Sequence, residues 1–226
     1  MNIGIILGVI AMGLSWIVKK RFQSTMDKLA RIPTRSGMSG KEIAEQMLGD
    51  SGIADVQILS TRGMLTDHYN PAKRTVNLSE VVYAERSIAA AAVSAHECGH
   101  AIQHATSYSF LQFRSGLVPV LNIANRFAPF VLMGGIVLIE MTPLPLTIGV
   151  ALLGASTLFS LITLPVEFDA SKRALAWLDD TGLMQGEEYD QAKKGLKWAA
   201  MTYVVAALTS LATLLYYVSI LMGRRN

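Results

Sequence analysis

Ser94-Ala95-His96-Glu97-Cys98-Gly99-His100-Ala101 decides how the rest of the chain is read. The five residues from His96 to His100 have the form H-E-x-x-H. On a helix, residues four apart share a face one turn apart, so two imidazoles can point at one ion. Glu97 stands beside the first of them and can work as a general base on the open side of that ion, the arrangement of a zinc peptidase. Two histidines and a glutamate could also fall together on a solvated helix face. The context argues against that. Ile88 to Val93 reads Ile-Ala-Ala-Ala-Ala-Val, a run of small apolar residues that leads the motif into a buried helix. Polar groups buried there need partners, and an ion supplies one.

Composition agrees with a membrane-associated, mainly helical chain. Of 226 residues, 51% are hydrophobic, and the net charge is only +3. The basic residues bunch at Lys19-Lys20-Arg21 and Arg224-Arg225, each at the end of an apolar run. That is how membrane helices are flanked, and no basic stripe for nucleic acid is present. The single cysteine, Cys98, excludes an internal disulfide framework. It points away from the ligand face and reads as a buried thiol rather than a ligand or nucleophile.

Taken in order, residues 1–21 read as an N-terminal membrane anchor. Ile3 to Val18 is apolar, and the charges come after it instead of preceding it, which is the reverse of a cleaved signal peptide. The basic flank puts the residues after Val18 on the cytoplasmic side. Residues 22–115 form a cytoplasmic-side, zincin-like region. Ser39-Gly40-Lys41-Glu42 is a capping box, and Ile43, Met47 and Leu48 are the buried stripe of its helix. Val56 to Leu59 is a strand candidate, and Gly63 to Ser79 reads as a hairpin turning at Asn70-Pro71. That hairpin either packs on the motif helix or also offers an edge to which a substrate adds as a strand. The motif helix is expected from about Ala84 to Ala105. His104, a turn beyond His100, reads as a helix-face residue or a support to the ligands.

Residues 116–164 read as a transmembrane helical hairpin, with Ala128 to Met141 and Leu146 to Leu164 joined at Thr142-Pro143-Leu144-Pro145. Residues 165–198 then carry the third ligand. A catalytic zinc takes three protein ligands and keeps one open position. Glu167, opening a helix after Pro165, returns to the side of the motif and is the carboxylate to supply it. Asp169 is the rival but faces elsewhere. Glu167 as a mere helix-start charge is the plain alternative. Lys193, Lys194 and Lys197 form a solvated interfacial face. Residues 199–226 hold a last span, Ala199 to Met222. Its basic end would lie outside, against the positive-inside tendency, unless one apolar run does not cross. The fold expected is mainly α and integral to the membrane. It has a zincin-like catalytic helix, a small β-hairpin and about four transmembrane helices.

With those residues read, the chain resembles the YugP-like neutral zinc metallopeptidases, a family of bacterial membrane proteins. The resemblance rests on Leu65-Thr66-Asp67-His68-Tyr69, Val76-Asn77-Leu78-Ser79-Glu80, His96 to Gln103, and Leu164-Pro165-Val166-Glu167-Phe168-Asp169-Ala170-Ser171. It is more distantly similar to HtpX and the CAAX prenyl endopeptidases, which place a third Glu ligand in an E-x-x-A-D stretch. The matching stretch is Glu167 to Ser171, with Ser171 in place of the Asp, so the support of the first histidine is lost or made differently. The resemblance implies proteolysis at or near a bacterial cytoplasmic membrane. The apolar runs make the chain a multi-pass protein, and the basic flank at Lys19 to Arg21 puts its active site on the cytoplasmic side.

The expected function is a zinc-dependent endopeptidase. His96, His100 and Glu167 would hold Zn2+, and Glu97 would be the general base. His68, Tyr69 and Arg173 are candidates to stabilise an oxyanion or orient the substrate. The expected partners are a protein or peptide substrate and the lipid bilayer, with no nucleic acid. The competing reading is a non-catalytic membrane scaffold or regulator with a structural zinc, for which His104 would be a fourth ligand. A metal transporter ranks last, because the apolar runs carry almost no charge.

Overall fold

In order, the elements are α1 (Ile3–Leu29), α2 (Gly40–Asp50), β1 (Gln57–Thr61), β2 (His68–Asn70), β3 (Thr75–Ser79), α3 (Glu80–Ala84), α4 (Ile88–Ala105), α5 (Ser109–Val137), α6 (Leu144–Asp180) and α7 (Glu187–Gly223). They come from a computed structural model that describes residues 3–223, without the side chains of residues 3–5 and 7. The chain divides into two compact units. One is residues 1–18, 112–164 and 202–226; the other is 19–111 and 165–201.

Local sequence sets most of the second unit. Ser39 caps α2: its hydroxyl accepts from Glu42 N, and the Glu42 carboxylate accepts from Ser39 N at 2.7 Å. Two backbone donors that the helix start would orphan are thereby satisfied. Ile43, Ala44, Met47 and Leu48 then form one buried face of α2. Asn70 makes the expected turn, its Oδ1 accepting from Ala72 N and Lys73 N. The strands it joins, β2 and β3, pair antiparallel. The hairpin gains a third strand, because β1 pairs parallel to β3 on its other side, and the order is β1-β3-β2. The central strand is buried along its whole length. Its polar residues are therefore paired internally: Asn77 Nδ2 donates to Thr75 Oγ1 at 2.8 Å, and Ser79 N donates to Asp67 Oδ1 at 2.7 Å. Val76, Leu78, Met47, Ile88, Cys98 and Leu178 are completely buried in this unit's core. Each large aliphatic there contributes roughly 1.5–3 kcal/mol by leaving water.

Two expectations are corrected. The motif helix begins at Ile88, not near Ala84. Residues 80–84 form their own short helix, and Glu85 and Ser87 are extended. Ser87 Oγ accepts from Ala90 N, so an N-cap starts α4 afresh. Glu167 does not open a helix either. Pro165 lies inside α6, as Pro119 and Pro129 lie inside α5. A proline removes one backbone donor and clashes with one carbonyl. The long apolar helix keeps its bonds on both sides and continues through it.

Among the described residues, α5, α6 and α7 are long and apolar enough to cross a membrane. The expected N-terminal anchor is helical in α1, but part of its side chains, like the basic tail at 224–226, lies outside the described residues. In the first unit, α5 and α6 approach closely where Gly135 faces Leu146, and Ala128, Leu132 and Leu146 form a buried cluster. Thr157 on α6 and Ser210 on α7 share a 2.8 Å hydroxyl contact.

Candidate metal centre

α4 and α6 meet where the motif needs its third ligand, both within the second unit. A Cβ on Gly99 would come within 2.6 Å of Ala170 O, so only glycine allows the two backbones this approach. One turn along α6 from that contact, Glu167 is almost fully buried and faces α4. Its Oε2 lies 3.3 Å from His96 Nε2 and 3.6 Å from His100 Nε2. The ligand atoms of His96, His100 and Glu167 all lie within 4.8 Å of one another.

These spacings suit an ion better than direct ion pairs. Zinc holds nitrogen and oxygen ligands at about 2.0–2.2 Å, and the corners of such a tetrahedron stand roughly 3.3–3.6 Å apart. The two Nε2–Oε2 distances fall at that separation.

The outer nitrogens are held separately, which fixes the inner ones. His100 Nδ1 lies 3.0 Å from Gln103 Oε1. The Gln103 amide nitrogen donates to Val166 O and Asp169 Oδ2, each at 2.8 Å, so the oxygen must be the atom that faces His100. An amide oxygen only accepts. His100 Nδ1 therefore carries the proton, and Nε2 keeps its lone pair for an ion. His96 Nδ1 lies 3.1 Å from Ser171 Oγ, which can accept the same way. Ser171 thus stands in for the missing carboxylate. Burial acts to depress the His100 imidazole. The neighbouring Glu167 and Glu97 carboxylates outweigh burial, and its pKa rises above the ordinary value.

Glu97 is buried at the edge of this group, and its Oε2 accepts from the backbone N–H of Tyr69 at 2.9 Å. That N–H points off the outer edge of β2, because among the described residues β2 has its only partner strand, β3, on the other side. The Tyr69 phenol turns away, 2.7 Å from His104 Nδ1. His104 is thereby tied to Tyr69 and does not join the three ligands. Burial raises the Tyr69 phenol pKa.

The structure does not bring the three oxyanion candidates together. His68 is exposed, with its Nδ1 2.8 Å from Thr66 O. Arg173 bonds Asp169 at 2.6 Å and lies over the Tyr108 ring. Of the three, Tyr69 alone bonds a residue of the motif, through its backbone. Asp169 faces Gln103 and Arg173 and not the ligands. Cys98 is buried against α2, and burial pushes its thiol far up, away from the reactive thiolate. Gln103 was not anticipated, although it lies three residues after His100 on the same helix face.

A family model described as "Putative neutral zinc metallopeptidase" matches residues 4–222. The chain is 42% identical over 222 residues to the "Putative membrane protease YugP" of Bacillus subtilis (strain 168), a match covering 98% of each chain. No solved structure matches it.

Proposed function

The chain belongs to the neutral zinc metallopeptidase family, and on that footing we propose that it is a membrane-embedded zinc endopeptidase whose metal is held by His96, His100 and Glu167. The observation that carries this reading is the convergence of two Nε2 atoms on one buried carboxylate oxygen, with Glu97 one residue from the first ligand. The donor set of two neutral imidazoles and a carboxylate is a catalytic zinc set, and it leaves one position open. Zinc bound there would polarise a peptide carbonyl and acidify a water.

The chain's own residues do the rest. Glu97 is the general base: it takes a proton from water and returns it to the departing amine. The Tyr69 N–H holds Oε2 of Glu97, which leaves Oε1 for the proton. Gln103 and Ser171 fix the imidazole rings. Burial of Glu97, His100 and Glu167 keeps bulk water from weakening these interactions. The tie between His104 and Tyr69 favours an open three-ligand site over a closed structural one. Helices α5, α6 and α7 would carry the chain in a bacterial cytoplasmic membrane. Lys19 to Arg21 favour the cytoplasmic side for the site.

The test is cleavage of a loosely folded protein by the detergent-purified chain, beside Glu97→Gln and a zinc chelator. Turnover should fall about 10²–10⁴-fold in Glu97→Gln, with zinc content retained, and should vanish with chelation. A Glu97→Gln protein that cleaves at the wild-type rate would overturn the assignment.

A further inference from the structure

A pocket of about 100 Å³ lies N-terminal to the metal centre within the same unit. Its lining includes Met26 and Ala30 of α1, Val82, and Ala89, Ala90 and Val93 of α4. At 100° per residue, Ala89, Ala90, Val93, His96, Glu97 and His100 occupy one arc of about 120° on α4. The pocket is therefore the same helix face as the centre, one to two turns earlier. The sheet edge makes the same connection. Asp67 lines the pocket, and Tyr69, two residues on, reaches Glu97. Two residues of strand advance roughly 6–7 Å, and the four from Val93 to Glu97 rise about 6 Å. Pocket and general base are thus about two residues of extended peptide apart.

The polar atoms of the lining are occupied or peripheral. Asp67 is engaged by Ser79 through its backbone N–H and hydroxyl. Ser87 caps α4. Asp27 is exposed at the rim. What remains is apolar. Met64 and Leu65, also in the lining, stand 80% and 58% exposed on a tip where Gly63 and Leu65 have positive φ. A left-handed leucine is costly, and here it holds two apolar side chains in water beside an apolar hollow.

We infer that this pocket is a specificity subsite of the same centre, taking one aliphatic side chain of the substrate within two residues of the bond that is cut. The inference rests on the peptidase reading above. An apolar cavity of about 150 Å³ admits benzene; the smaller one here suits a side chain of the size of valine or leucine. A hydrophobic pocket discriminates about 10–200-fold for one methylene, so the preference is measurable.

The test compares paired peptides carrying Leu or Ala at each of the two residues on either side of the scissile bond. They are cleaved by the full-length, zinc-loaded protein and by Val93→Phe, which fills the pocket, and Val93→Ala, which enlarges it. The wild type should favour Leu by at least about tenfold in kcat/KM. Val93→Phe should collapse that ratio, and Val93→Ala should move it toward larger residues. The same peptides are measured for binding to Glu97→Gln with and without Val93→Phe. Cleavage with no Leu preference, or a preference that neither variant moves, overturns the subsite and leaves the peptidase standing. No cleavage by any protein, together with a Leu preference in binding that Val93→Phe removes, overturns the peptidase and leaves the pocket as a binding site for an aliphatic side chain.

Discussion

Ser171 Oγ lies 3.1 Å from His96 Nδ1, and so a neutral hydroxyl on α6 holds the ring that begins the motif. Four residues earlier on the same helix, Glu167 faces the other nitrogen of that ring. One helix thus supplies both a candidate metal ligand and the ring's outer support, and any rotation of α6 moves both together. Ser171→Ala removes only the support. Such outer contacts typically change metal affinity 10–100-fold. A chelator competition should show zinc bound about that much more weakly by Ser171→Ala, with Ser171→Asp restoring or exceeding wild-type affinity. Equal affinity in all three would mean that His96 needs no outer partner.

Gln103 plays the matching part for His100, with more at stake. Its side chain bonds an imidazole, a backbone carbonyl on α6 and the Asp169 carboxylate. Gln103→Leu leaves two buried polar groups, His100 Nδ1 and Val166 O, short of this partner, each costing about 1–3 kcal/mol, while Asp169 keeps its bond to Arg173. The expected result is a lower melting temperature than that of Ser171→Ala, together with weaker zinc binding. Gln103→Glu keeps an acceptor for His100 but sets two carboxylates against each other. It should therefore destabilise less at a pH low enough to protonate one of them. Thermal melts across pH, with zinc content on the same samples, check both variants.

Gly99 tests the contact between the two helices. A methyl there meets Ala170 O at 2.6 Å, so α6 must retreat. Overpacking of this kind costs about 1–3 kcal/mol, and here it also draws Glu167 away from the histidines. Gly49, in α2, has nothing within 4 Å of its would-be Cβ. Gly49→Ala should stabilise by up to about 1 kcal/mol, whereas Gly99→Ala should destabilise and lose zinc. Chemical denaturation of the two variants, with metal analysis, separates packing from propensity. A Gly99→Ala protein with full zinc would show that the approach of α4 and α6 is not what positions Glu167.

The sequence carried more of the site than of the path to it. His96, Glu97 and His100 are local, and their spacing alone puts them on one face. Glu167 followed from counting ligands, a constraint of the ion's chemistry. Its setting was misread, because Pro165 signals a helix start in water and sits in mid-helix here. The start of α4 was misplaced because Ala84 to Ser87 carries no strong breaker; the Ser87 cap shows only once Pro33 bridges to it from far along the chain. Tyr69 is a sequence candidate for stabilising an oxyanion or orienting the substrate, yet its backbone N–H is what meets Glu97. No side-chain pattern encodes that. β1 pairs parallel to β3, a contact set by the core and invisible to hairpin signals.

At the proposed centre protons and zinc compete for His100, and this gives a pH trend with a definite sign. The imidazole is raised above its ordinary 6.5, because the Glu167 and Glu97 carboxylates outweigh its burial. Only the neutral ring binds metal. Apparent zinc affinity should therefore begin to fall at a pH above 6.5 and decline further on acidification. In chelator-treated protein the sign reverses. A histidine whose folded pKa is raised contributes stability below its unfolded pKa, and that contribution is lost as pH rises through the folded value. Between about pH 6 and 8, the melting temperature of the chelated protein should fall relative to His100→Gln, while that of the zinc-loaded protein should rise. Glu167→Gln removes the largest raising influence, so burial should then prevail and bring His100 below its ordinary pKa. NMR titration of the imidazole in chelated wild type and Glu167→Gln reads this directly. A His100 pKa that does not fall in the variant would mean that Glu167 does not govern the charge of that ring.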